Sequence, residues 1–90
     1  MPLLNAVKKR NGEIVTFDRS RIENAIIRAA EAVGVLNKDF VTGVTDEIIH
    51  DLERFLENSP EPIPPVETIQ DTVERNLMKA KEFEVAKAYV

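Results

Sequence analysis

The sequence predicts an α+β fold, a small β-hairpin laid across four helices, and three observations carry that prediction. Asn11-Gly12 separates two short β-prone runs near the start of the chain. Three longer segments then repeat apolar residues every three or four positions, and a fourth begins before Val90. A proline-dense stretch, Ser59-Pro60-Glu61-Pro62-Ile63-Pro64-Pro65, divides the helical segments and cannot itself be helical. With 43% hydrophobic residues, 90 residues supply one modest core, so residues 1–90 read as a single domain.

The elements follow in order. Leu3 to Arg10 and Glu13 to Phe17 form the hairpin, and both residues of Asn11-Gly12 tolerate the positive φ of a two-residue type I′ turn. Asp18 or Ser20 caps the first helix, whose stripe is Ile22, Ala25, Ile26, Ala29 and Val33; Gly34 stands where a left-handed C-terminal cap belongs. Asn37 or Asp39 opens the second, with Phe40, Val44, Ile48, Leu52 and Phe55 as its buried face and Gly43 weakening its first turns. Ile63 is the expected centre of a short edge strand beside the hairpin, which would make a three-stranded sheet. Val66, Ile69, Val73 and Leu77 form the third stripe, with Glu67 favourable to the helix dipole. A break is expected at Lys79 to Glu82, after which Phe83, Ala86 and Tyr89-Val90 begin a fourth helix. That pattern is still running at Val90, so the chain is expected to be the N-terminal part of a longer protein.

Composition narrows the function classes. The chain has no cysteine, which excludes disulfides, thiolate zinc sites and cysteine nucleophiles. No apolar run reaches membrane-spanning length, and Met1 to Arg10 lacks the apolar stretch of a signal peptide, so a cytoplasmic location is expected and no membrane partner. Net charge is −4, against a general nucleic-acid binder. Its distribution is uneven: residues 1–21 hold five basic and two acidic side chains, the remainder seven basic and fourteen acidic. A positive patch on an acidic molecule suits a small polyanion better than a duplex.

Catalytic constellations are missing. His50 has Asp46 and Glu53 within helical reach, but metal sites recruit ligands from several elements, and His50 reads as a surface residue. The hairpin offers more. Strand alternation sends Val7 and Lys9 to one face, Lys8 and Arg10 to the other. Arg21 adds a fixed charge in the first helical turn, where free amides already favour anions. Lysine, arginine and helix terminus could converge on a triphosphate while Val7, Val15 or Phe17 encloses a base. The plainer alternative is that these charges guard an exposed strand edge against aggregation.

Along nearly its whole length the chain resembles the ATP-cone domain, the regulatory module of ribonucleotide reductases. Four blocks carry the resemblance: Val7-Lys8-Lys9-Arg10-Asn11-Gly12; Phe17-Asp18 with Arg21-Ile22; Val66-Glu67-Thr68-Ile69-Gln70-Asp71-Thr72-Val73-Glu74; and Val85-Ala86-Lys87-Ala88-Tyr89. The resemblance implies a four-helix domain capped by a small sheet, without catalysis of its own, that binds ATP or dATP as allosteric effector together with Mg2+. It implies that Val7, Lys9 and Arg10 line the nucleotide pocket, that Arg21 approaches the phosphates, and that Val66 and Gln70 face the adenine and sugar. Glu67 is then a cap, Ile69 a core residue and Lys8 solvent-facing. Its partners would be the remainder of a reductase catalytic subunit and its oligomer partners. Arg21 stands where the family often has lysine, which keeps the charge and changes the reach. The tyrosine-arginine with which the family helix usually continues is not reached before Val90. Two rival parents or roles are the cone of a transcriptional repressor of reductase genes, whose zinc cysteines find no place ahead of Met1-Pro2-Leu3, and a degenerate cone serving as a helical interaction module.

Overall fold

The computed structural model describes residues 4–34, 37–59, 63–80 and 83–90. Expectations placed on Leu3, on Lys81 and Glu82, and on the side chains of Phe83 and Ala86 lie outside the described residues. The elements are β1 (Ala6–Lys8), β2 (Ile14–Thr16), α1 (Arg19–Ala32), α2 (Lys38–Glu57), α3 (Val66–Lys79) and α4 (Phe83–Tyr89). This is the α+β architecture expected: four helices and an antiparallel hairpin, with Val7 opposite Val15.

The turn differs from its expected type. The Lys9 amide donates to the Glu13 carbonyl at 2.8 Å and the Gly12 amide to the Lys9 carbonyl at 2.9 Å. The loop is therefore three residues long, Arg10 to Gly12, with Gly12 as the closing left-handed residue at φ 88°. Asn11 instead turns its side chain inward to accept the Glu13 amide at 2.9 Å. One extra loop residue takes Arg10 out of the strand alternation and frees it to reach α3.

The third strand shrinks to one contact. Lys8 bridges Pro65 in parallel, its amide donating to the Pro64 carbonyl at 3.0 Å. Ile63, the expected centre, makes no ladder. Prolines at 64 and 65 supply acceptors but no N–H, so a longer pairing has nothing to donate.

Asp18 caps α1 by accepting from the Ser20 amide, and Asn37 caps α2 by accepting from Asp39 and Phe40. Gly34 closes α1 at φ 72°, its amide donating to the Glu31 carbonyl. α3 begins at Pro65 without a side-chain cap bond, and Glu67 is drawn into an ion pair with the hairpin rather than capping. α1 packs on α2 and α4, and α3 packs on the same two neighbours, so α1 and α3 face each other across the bundle.

The core joins Ile22, Ile26, Ala29 and Ala30 of α1 to Val41, Val44, Ile48, Leu52 and Leu56 of α2, Ile69, Val73 and Leu77 of α3 and Val85 of α4. The expected face of α2 needs one correction: Phe55 is 44% exposed, and Leu56 takes the inward position. Ile48, Leu52 and Leu56 continue one ridge at four-residue spacing, whereas Phe55, the sequence neighbour of Leu56, points about 100° away from it around the helix. Asn76 and Thr72 are also buried, each returning a hydrogen bond to the backbone one turn earlier. No described helix is long and apolar enough to cross a membrane.

Candidate functional site

The hairpin, the first turn of α1 and the first turn of α3 enclose a cavity of about 180 Å3. Val7, Val15, Phe17, Ile22 and Val66 give it apolar walls, and Lys9, Asp18 and Arg21 stand among its polar lining. Strand alternation explains why Val7 and Lys9 share this side, and the Asp18 cap explains why α1 starts here. Ordinary ligand sites run to roughly 300–1,000 Å3; this one has room for a flat ring, with anything larger emerging at the rim.

Arg10 and Gln70 lie elsewhere. They line an adjoining, wider cavity of about 490 Å3 with Ala25, Asp71, Glu74, Tyr89 and Val90. The two hollows follow one another along the same helices, since Val66 and Gln70 are one turn apart on α3 and Ile22 and Ala25 one turn apart on α1. Of the six residues expected to form one pocket, four therefore meet in the first hollow and two in the second. Arg10 instead reaches α3, where it meets Glu67 and Gln70.

Charge is distributed in pairs around the mouth. Lys9 Nζ sits 3.5 Å from Glu13, and Arg10 Nε 3.2 Å from Glu67 while its Nη2 donates to Gln70 Oε1 at 3.4 Å. Arg19 is turned away to α2, with Nη2 2.6 Å from Asp46 and 3.4 Å from the Thr42 carbonyl, and Nε 3.6 Å from Glu23. The Asp46 hydrogen bond holds the Arg19 guanidinium even more firmly charged than usual. Among the described residues Arg21 has no carboxylate at ion-pair distance. The Ser20 hydroxyl, then the Ser20 amide, hold the Asp18 carboxyl below its ordinary range, so Asp18 is ionised at neutral pH; Arg21 adds to this from a distance.

The hollow is apolar inside, with a lysine of the hairpin and an arginine of the first turn of α1 among its lining residues. The ATP cone domain family profile matches residues 5–90 of the chain. This chain belongs to the ATP-cone family. Over 84 residues the cone is 38% identical to the vitamin B12-dependent ribonucleoside-diphosphate reductase of two Mycobacterium tuberculosis strains. It is 33% identical to the anaerobic ribonucleoside-triphosphate reductase of Salmonella typhimurium. Each alignment covers 93% of this chain, which spans only 11% of each relative's length.

Sequence reasoning misses several residues of the cone's two hollows. Thr16, Asp18 and Ile22 line the first, and Tyr89 with Asp71 and Glu74 lines the second. Ile22 carries a usable signal, because it follows the Asp18 cap by four residues and so must sit over the helix start. Tyr89 carries none, since its position depends on how α4 docks against α1. Burial first, and then the charge of Glu74, push the Tyr89 hydroxyl above its ordinary pKa. Elsewhere, Asp46 is occupied by Arg19, and no group of three potential metal ligands occurs among the described residues.

Proposed function

We infer that the cone is an adenine-nucleotide sensor, binding ATP or dATP and reporting it to a ribonucleotide reductase whose overall activity it controls. The observation that carries this reading is the convergence of Lys9 and Arg21 on an apolar cavity of base-ring size. The base enters between Val7, Phe17, Ile22 and Val66, where burial of its faces supplies hydrophobic energy. Sugar and phosphates then lie at the mouth. There Arg21 and the α1 amides meet the anion first, and Lys9 and Arg10 exchange Glu13 and Glu67 for phosphate oxygens. Both exchanged pairs are exposed, so little is lost in breaking them. Any Mg2+ accompanying the triphosphate would be held by phosphate oxygens, since no group of three potential protein ligands occurs among the described residues.

Arg10, bonded to both Glu67 and Gln70, couples the hairpin to α3, so loss of that contact on binding gives the ligand a lever on the helices. Discrimination between ribose and deoxyribose requires contacts that differ between two helix arrangements, because a ligand with equal affinity for both shifts nothing.

Calorimetric titration of the chain with ATP and separately with dATP, magnesium present, tests the reading against a Lys9→Ala control. Saturable binding that the control weakens about tenfold or more is expected, and the stoichiometry separates one nucleotide from two in the adjoining hollows. Absence of saturable binding in the wild type would sink the proposal.

A further inference from the structure

A third cavity lies where the start of α2 meets the end of α3, and the nucleotide reading gives it nothing to do. It measures about 390 Å3 and is walled by Phe40, Val44 and Ala80, with the exposed Glu47 and Lys79 contributing one charge of each sign. Two of its features have no explanation within the fold.

One is Gly43. Glycine weakens a helix interior, yet the backbone here is ordinary right-handed helix, since the positive-φ glycines are Gly12 and Gly34. A Cβ built at Gly43 meets nothing within 4 Å. Neither conformation nor close packing asks for glycine at this position. Gly43 is one of the residues lining the cavity, where an added side chain would meet open space.

The other is the amide of Asn76, a residue only 3% exposed. Its Nδ2 donates to Asp51 Oδ2 at 3.0 Å and to the Thr72 carbonyl at 2.9 Å. Both neighbours are pure acceptors, which fixes the orientation of the amide and leaves Oδ1 without a donor. Among the described residues the one side-chain atom sealed from solvent without a partner is Thr45 Oγ1. Asn76 Oδ1 is not among such sealed atoms and Asn76 lines this cavity, so we take the free acceptor to open onto it.

An apolar hollow with a single fixed acceptor inside fits a flat aromatic side chain that carries one N–H or O–H. An aliphatic side chain would cover Asn76 Oδ1 and give it no donor, and a phosphorylated ligand would bring its charge against apolar walls. In the relatives, the part matched by this chain is 11% of a far longer polypeptide, so protein surface is available to meet it. We propose that the Phe40–Gly43–Asn76 cavity is a docking site for a tryptophan or tyrosine side chain of a neighbouring polypeptide, its donor seated on Asn76 Oδ1.

The test is an amide-resolved NMR titration of the 15N-labelled chain with N-acetyl-tryptophanamide, beside the donor-free N-acetyl-phenylalaninamide. Saturable shifts at Gly43, Glu47 and Lys79 are expected with the first probe and about tenfold weaker affinity with the second. Gly43→Leu, which fills the hollow from the outside of the helix, abolishes the response while melting no lower than wild type. The proposal is overturned if those amides do not shift saturably, if both probes bind alike, or if Gly43→Leu responds as wild type does. It is equally overturned if the same amides shift with protein concentration alone, which would make a second copy of the chain the occupant.

Discussion

At the hairpin end of the bundle Lys9 faces Glu13 and Arg10 faces Glu67, through side chains that are all more than half exposed. At the α2–α3 junction Asp51, with a side chain 18% exposed, accepts from the buried Asn76 while Arg54 and Lys79 approach its two oxygens from the rim. The first set of contacts is cheap to exchange, because water stands ready to replace either partner. The second is not, because a donor deprived of its acceptor there is left desolvated. Solvent exposure thus separates the polar contacts of this molecule that a ligand could displace at little cost from those that fasten one helix to another.

The comparison is broken most directly at Asn76. Asn76→Ala should cost about 2 kcal/mol and lower the melting temperature by roughly 10 °C, since it removes one buried and one part-buried hydrogen bond and opens a void. A melting temperature within a degree or two of wild type would show that the junction is no fastener. Thr45→Val probes the same interior from the opposite side. Its hydroxyl is fully buried and finds no partner, so replacing it with a methyl should raise stability by about 1 kcal/mol in a denaturant titration.

Gly43→Ala should gain somewhat less, about 0.5–1 kcal/mol, because the new Cβ meets nothing and the helix loses a flexible link. The smallest stability change belongs to the hairpin. Arg10→Ala should shift unfolding by less than about 0.5 kcal/mol while weakening ATP binding about tenfold by calorimetry. A large loss of stability there would mean that the Arg10–Glu67–Gln70 contact is itself a fastener, and the contrast between the two ends would fail.

Tyr89 sharpens the contrast between the two hollows at the hairpin end. As the only tyrosine, it can be followed by absorbance, and its midpoint in the folded chain should lie above that of the unfolded chain. The sign follows: the neutral phenol is favoured by folding, so its contribution is complete below the unfolded pKa and declines as pH rises through the folded one. Coincident folded and unfolded midpoints would place the hydroxyl in open water.

Much of the hairpin end is legible in the amino-acid sequence. Alternating Val7 and Lys9 face one cavity because a strand has a period of two, and Asp18 and Asn37 cap helices because short oxygen-bearing side chains satisfy free amides locally. Both are short-range effects, fixed within three or four residues. Phe55 shows where that legibility ends: three-residue and four-residue spacing are both helical, and only the neighbouring helices decide which ridge is buried. Arg10 shows it at the site, where contacts with Glu67 and Gln70 on α3 put a cation in the second hollow rather than the first.

The amino-acid sequence by itself determined the class of the fold, the helix starts, the hairpin and the cluster of positive charge beside an apolar strand face, since each depends on periodicity or on contacts within one turn of chain. Tertiary structure alone decided which acid each cation meets, that the six expected residues divide between two hollows, and that Asn76 and Gly43 frame a third. Those outcomes join residues as much as 60 positions apart, such as Arg10 and Gln70. They were settled when packing of the apolar faces fixed the relative positions of helices that local preference had only begun.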